Sequence, residues 1–407
     1  MGWMQGFPPP DKRLLSAADG SFFEFPALRW SVVHMRQFLP TTGVSRGLGA
    51  PVPFDHALDA GIDAVRFTPR GAEETMTWEA SLAKNYTDGI LILHHGDIVY
   101  ERYSGELTEA RKHAAMSVTK SFTGTLAAVL AAEGTLDPAA PVTEYIPELK
   151  DSAFGDASVR QVMNMTTSLQ YSEDYADPEA EVWRYAKAGN PFPKSEGYAG
   201  PVGYYEYLQT LEKAPERDHG EAFAYKTPNA DLLGWIIARA SGKSVDTLLA
   251  EKVWSRLGME QAAYFQVDAK GTPSAGGGLS AGLRDMGRFG QMLLNDGAWQ
   301  GEQVLPEAAI ADIREGGSQK KFAKSDHPKL EGWSYKNMWW ITHNDHEAFA
   351  ARGVHGQTIY VDPTADMVIV RFASHPVAAN AANDPTSLPA YQAVADYLMA
   401  RDTQANQ

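Results

Sequence analysis

The order of apolar and polar positions divides the 407-residue chain into strand-like ends and a helical middle. Between residues 88 and 104, two β-rich runs flank His95-Gly96-Asp97, the composition of a hairpin turn. The run Ile90-Leu91-Ile92-Leu93 has no polar alternate, which predicts a strand buried on both faces. A helix is predicted over residues 117–133, stopped by Gly134, with Asp137-Pro138 turning the chain. Residues 145–225 mix short helical segments with Pro- and Gly-rich loops, and 190–202 is predicted as loop. Helical periodicity returns over 229–257, in two pieces split by Ser241-Gly242, and again over 281–295. Strand-like runs at 358–361 and 367–372 are joined through Asp362-Pro363, and a helix near 388–401 follows.

Strands near both ends with helices between them argue for an α+β fold. An antiparallel sheet flanked by helices would be assembled from N- and C-terminal parts, with a mostly helical domain inserted. The expected divisions are residues 1–173, 174–271 (the helical domain) and 272–407, with an irregular arm rich in Pro, Gly and aromatics over about 1–50. With 44% hydrophobic and 21% charged residues the chain is neither disordered nor fibrous. A net charge of −15 repels phosphate backbones and anionic headgroups, so neither nucleic acid nor membrane is expected as a partner. The absence of cysteine removes disulfides, thiolate metal ligands and a cysteine nucleophile together. The N-terminal residues lack a basic stretch followed by an apolar core, and no apolar run reaches the roughly 18–20 residues of a bilayer span, so a cytoplasmic location is expected.

Candidate chemistry begins with Ser-x-x-Lys, which occurs at Ser81-Lys84, Ser117-Lys120 and Ser318-Lys321. The chemistry needs the serine at a helix N-terminus and the lysine one turn on, so that both share a face. The free N–H groups there favour a developing oxyanion. Only Ser117 opens a long apolar helix, and a lysine desolvated in such a place becomes a better base. Ser81 has no apolar helix behind it, and Ser318 lies in a charged run. A rival is Gly278-Leu-Ser280-Ala-Gly282, the G-x-S-x-G pattern of α/β-hydrolase elbows. That elbow must follow a buried strand, which the preceding GTPSAGG does not resemble, so Ser280 is expected to cap the next helix. No metal site is expected: His343, His346 and Glu347 fit no zinc spacing, and His94-His95 is read as a surface turn. No cofactor is implied.

Three separated segments then fall into order: Ser117-Val-Thr-Lys120, Tyr225-Lys-Thr-Pro-Asn229 and Gly353-Val-His-Gly-Gln357. This order resembles the serine β-lactamase and penicillin-binding family, in particular its class C β-lactamase branch and the 6-aminohexanoate-dimer hydrolases. The collinear blocks MSVTKS, DPAAPVTEYIPEL, YSEDYADPEAEV, DLLGWIIARASG, RDMGRFGQMLL, NMWW and VHGQTIYVDPTADMVIV carry the likeness along most of the chain. The resemblance implies a β-lactamase/transpeptidase-like fold, Ser117 as acylating serine, Lys120 as its partner and Tyr225 as proton shuttle. Lys120 is expected to lower the Tyr225 pKa. The oxyanion hole would be the N–H groups of Ser117 and Val354. Tyr175, Thr227, Asn229, Gly276, Trp340 and His355 would line the substrate site, and a homodimer is the assembly to which the likeness points.

Several positions depart from that pattern. Gly276 stands where the nylon-oligomer enzymes have an asparagine. Ala186 stands where efficient dimer hydrolases have an aspartate for the substrate amino group. Lys226 puts a second cation beside Tyr225 unless it turns outward. Val354-His355-Gly356 replaces Lys-Thr-Gly, removing the usual partner of a β-lactam carboxylate. The expected activity is therefore a serine hydrolase working through an acyl-enzyme, on carboxylic esters first and linear amides such as 6-aminohexanoate oligomers second. β-Lactamase or D-alanyl peptidase-like chemistry is one alternative, and a catalytically inactive binding protein on the same fold is another.

Overall fold

In the computed structural model, which describes residues 2–405, the two ends of the chain build one sheet. The strands are β1 (Thr87–His94), β2 (Asp97–Tyr103), β3 (Ser334–Lys336), β4 (Trp339–Ile341), β5 (Phe349–Gly353), β6 (Gln357–Asp362) and β7 (Met367–Ala373). They pair antiparallel throughout in the order β3-β4-β5-β6-β7-β1-β2, so β7 closes the sheet onto the N-terminal hairpin. Leu91 faces Val370 and Ile92 faces Ile369 across that seam.

The run Ile90–Leu93 is buried on both faces because successive side chains enter different cores. Leu91 and Leu93 join Val368 and Val370 under helices α1 (Val118–Ala132) and α3 (Leu283–Leu294). Ile90 and Ile92 join Ile369, Tyr360 and Trp78 under α4 (Asp384–Ala405). The α+β arrangement expected from the sequence, an antiparallel sheet flanked by helices, is thus the one observed. α1 is buried from Val118 through Leu130 and packs on α2 (Pro228–Ser241). Phe122 on α1 stacks on Phe289 of α3 at 3.9 Å.

A second, four-stranded sheet runs Thr41–Val44, Ala263–Gln266, Leu279–Ala281, His113–Ala114. Ser280 lies in the middle of it, fully buried, and Gly282 caps α3 instead. The expectation that Ser280 caps that helix is therefore corrected: the segment pairs with strands on both sides, and its hydroxyl faces no solvent. The N-terminal arm, expected to be irregular, packs Leu15, Ala27, Trp30 and Phe38 into a small core of its own.

Candidate active site

Ser117 caps α1 with a helical backbone (φ −69°, ψ −5°), and Met116 before it has φ +48°, a conformation costly for a residue with a Cβ. The turn is tied from behind. The Thr119 hydroxyl donates to the Met116 carbonyl (2.6 Å) and accepts from the Leu279 N–H (3.1 Å). The Ala115 N–H donates to the Leu279 carbonyl at 2.8 Å. The strand Leu279–Ala281 thus fixes the serine as much as its helix does.

Lys120 lies one turn on, 1% exposed. Its Nζ is 2.9 Å from Ser117 Oγ and donates to the Gly276 carbonyl at 2.6 Å. The N–H groups of Ala275 (2.8 Å) and Gly276 (3.3 Å) in turn donate to Asp231 Oδ1, in the first turn of α2. The Tyr185 hydroxyl donates to the other oxygen of that carboxylate. Burial pushes Asp231 up to about 6, against the pull of these hydrogen bonds and of the Lys120 charge. A Cβ at Gly276 would stand 2.8 Å from both Asp231 Oδ2 and Thr227 Cγ2, so a larger residue here requires those side chains to shift. Through its carbonyl Gly276 holds Lys120 in place.

The Tyr225 ring stacks on Trp340 (centroids 5.5 Å apart) with Lys120 Nζ 5.1 Å from its centre. Burial raises the Tyr225 pKa; the Lys120 charge and the Ser117 and Lys120 side chains at its hydroxyl pull it down but do not prevail. The expected lowering is thus corrected: the lysine acts in the anticipated direction and loses to desolvation. The N–H groups of Ser117 and Val354 donate to no backbone acceptor among the described residues. Gly353 brings β5 against the serine turn, where a Cβ would lie 2.9 Å from Ser117 N.

The remaining expected residues divide. Tyr175 and Thr227 meet through Glu173: the Tyr175 hydroxyl (2.7 Å) and the Thr227 hydroxyl donate to one oxygen, and the Thr227 N–H (2.6 Å) to the other. Asn229 is fully buried, accepting from Thr167 (2.7 Å) and donating to the Lys226 carbonyl (3.1 Å). It braces the Tyr225 loop, which corrects its expected substrate role. His355 (φ +63°) is anchored through its Nδ1 to the His375 carbonyl at 2.7 Å. Lys226 is half-buried and donates to the Tyr171 carbonyl, and Ala186 sits on the exposed side of the helix Glu181–Gly189. Ser81 donates to the Trp78 carbonyl, and Ser318 caps a four-residue helix, both apart from this cluster.

Residues 80–391 match the Beta-lactamase family. The chain belongs to the β-lactamase family. A relative, the 6-aminohexanoate-dimer hydrolase of Paenarthrobacter ureafaciens, is 34% identical over 358 residues, 88% of each chain. The fold is similar to that of a candidate 6-aminohexanoate-dimer hydrolase from Bacillus anthracis, with TM-score 0.85 and 34% identity over 95% of this chain and 99% of that one. It is also similar to EstCE1, a hydrolase with promiscuous acyltransferase activity, with TM-score 0.59 and 17% identity over 77% of this chain and 98% of that one. That last likeness speaks for the fold alone. This β-lactamase-family protein is a hydrolase, and among its described residues no helix is long and apolar enough to cross a membrane.

Sequence reasoning passed over four residues of this β-lactamase-family site. Glu173 lies inside the quoted YSEDYAD block. Asp231 is the one acidic residue of a largely apolar helix and sits on its buried part, a placement that demands partners and was the available signal. Gly353 shows its role only where two segments meet. His327, packed against Trp340 (5.1 Å) and held down to about 4 by burial, lies in an unremarkable polar run.

Proposed function

We propose that the protein hydrolyses carboxylic esters, and more slowly linear amides, through an acyl-enzyme on Ser117. The 2.9 Å contact between Lys120 Nζ and Ser117 Oγ, inside a site that excludes water from the lysine, carries this reading. In the first half-reaction the serine proton passes to Lys120 as Oγ attacks the carbonyl carbon. The oxyanion is received by the N–H groups of Ser117 and Val354. Tyr225, held in its phenol form by burial, gives its proton to the leaving oxygen or nitrogen as the C–O or C–N bond breaks, and recovers one from Lys120. Water then attacks the acyl carbon, and its proton returns to Ser117 by the same path.

Esters rank first because an alcohol leaves with little protonation, whereas an amine does not. Support for linear amides comes from the relative named a 6-aminohexanoate-dimer hydrolase. Against it stands Ala186, which offers no charge to a substrate ammonium. β-Lactams rank last, since Val354-His355-Gly356 supplies no lysine for their carboxylate and His355 is tied to His375.

A fluorophosphonate probe should label wild-type protein and leave Ser117→Ala unlabelled; an unlabelled wild type would favour a binding protein on this fold. A panel of p-nitrophenyl esters, 6-aminohexanoate dimer and a chromogenic cephalosporin should rank in that order. Dimer turnover equal to the esters would overturn the reading of Ala186.

A further inference from the structure

On the far end of the sheet from Ser117's cap, three chain segments that share no sequence neighbourhood bring two imidazoles and a carboxylate together. β1 ends at His94, and the tight turn His95-Gly96 follows with φ +52° and +84°, both left-handed. Beside it runs the β6–β7 turn with Ala365 and Asp366, and the last turn of α4 lays Asp402 across both. The surface turn expected for His94-His95 is only half correct, because His94 is 7% exposed.

The nitrogens identify what this cluster lacks. His94 Nδ1 donates to the Ala365 carbonyl (2.9 Å), an acceptor that fixes its proton there. His95 Nδ1 donates to Asp366 Oδ2 (2.7 Å), which fixes the same tautomer. Both Nε2 atoms then aim lone pairs at one oxygen, Asp402 Oδ2, at 3.1 and 3.0 Å. A neutral imidazole has one N–H, so with both spent outward the inner face holds three acceptors and no donor. Protonating His95 alone would give Asp402 one donor but leave the buried His94 lone pair facing the carboxylate, and protonating both would crowd two cations with centroids 3.9 Å apart, one of them buried. A divalent cation repairs it directly.

We propose that His94 Nε2, His95 Nε2 and the Asp402 carboxylate form a binding site for a divalent transition-metal ion of the Zn²⁺ class. All three ligand atoms lie within 4.8 Å of one another. Ligands tetrahedral about one zinc at bonds of about 2.0–2.1 Å are about 3.3 Å apart, and the two Nε2–Oδ2 separations of 3.1 and 3.0 Å need only a small opening. The outer hydrogen bonds of both rings, to a carbonyl and a carboxylate, are the kind that orient ligating histidines. Asp402 also sits at the negative end of α4, whose last turn carries no basic residue, so a cation there offsets two unfavourable charges. A depression of about 320 Å³ beside His95, lined by Asp55, Asp97 and Asp366 and by no Lys or Arg, gives an acidic approach. The fourth position would hold water. The ion would tie the C-terminal helix to two hairpin turns.

The test is calorimetric titration of the chelator-stripped, full-length protein with ZnCl2 at pH 7.5, alongside thermal melts and Co²⁺ absorption. The expected result is saturation at one equivalent, a higher Tm with Zn²⁺, and visible Co²⁺ bands of a four-coordinate site. His95→Ala, at an exposed side chain, should remove all three while keeping ester hydrolysis, which reports that the variant folds. Asp366→Asn, which keeps the left-handed backbone but weakens the His95 anchor, should weaken binding roughly 10- to 100-fold. No saturable binding by the wild type, or equal binding by His95→Ala, overturns the site.

Discussion

At the scale of single residues, the site is a set of short tethers whose worth can be measured. Tyr225→Phe keeps the ring on Trp340 and removes only the proton donor. It should lower kcat by roughly 100- to 10,000-fold, the range of acid–base catalysis, and more for an amide than for a p-nitrophenyl ester, in steady-state kinetics. Asp231 gives a stability prediction with a definite sign. Its folded pKa of about 6 lies above the unfolded value of 3.8, so between these the native state binds more protons. Its contribution to stability is then complete below about pH 4 and is lost as pH rises through about 6. Asp231→Asn, which keeps the acceptor for Ala275 and Gly276, lacks that penalty. Its stability relative to wild type should rise from pH 4 to pH 7 by up to about 3 kcal/mol in denaturant melts. A flat difference would mean that Asp231 stays charged throughout. His327 acts in the opposite sense: burial holds it at about 4 against 6.5, so its contribution is lost as pH falls through that window.

At the scale of elements, α1 and β5 meet at Ser117, and their approach is set by Gly353. A Cβ there would stand 2.9 Å from Ser117 N and from the Ala115 carbonyl, both backbone atoms that yield little. Gly353→Ala should therefore open the pair of N–H groups and cost roughly 100- to 1,000-fold in kcat, the price of an oxyanion donor, with the circular-dichroism spectrum unchanged. Unaltered kcat would show that the Val354 N–H plays no part. α1 itself was legible in the sequence to within a residue at each end, because apolar content, Gly134 and the opening serine all point one way. Ser280 was not, because a serine before a helical pattern reads as a cap whether or not the segment pairs into a sheet. Asn229 and His355 were legible as family positions but not in orientation; packing against Thr167 and His375 decided that.

For the whole molecule, β7 is the piece on which assembly turns. It pairs with β6 on one side and β1 on the other, and joins the cores on both faces. A chain ending before Met367 would leave Ile90–Leu93 paired with β2 alone, on one edge, and Trp78 without Tyr391. It should be insoluble or fail to give a cooperative melt, and a cooperative transition in that truncation would show that the N-terminal part folds without the closing strand.

By itself the sequence determined the main periodic elements and the α+β class and pointed to Ser117, Lys120 and Tyr225, which the fold brings together, because local pattern and collinear order need no knowledge of what lies across space. Only the tertiary structure decided the rest. It turned Gly276 and Asp231 into the support of Lys120, let burial outweigh a neighbouring charge at Tyr225, and set Asp402 against His94 and His95 from 308 and 307 positions away. Each of these depends on desolvation or on contacts between distant segments, and neither is written in the local order of residues.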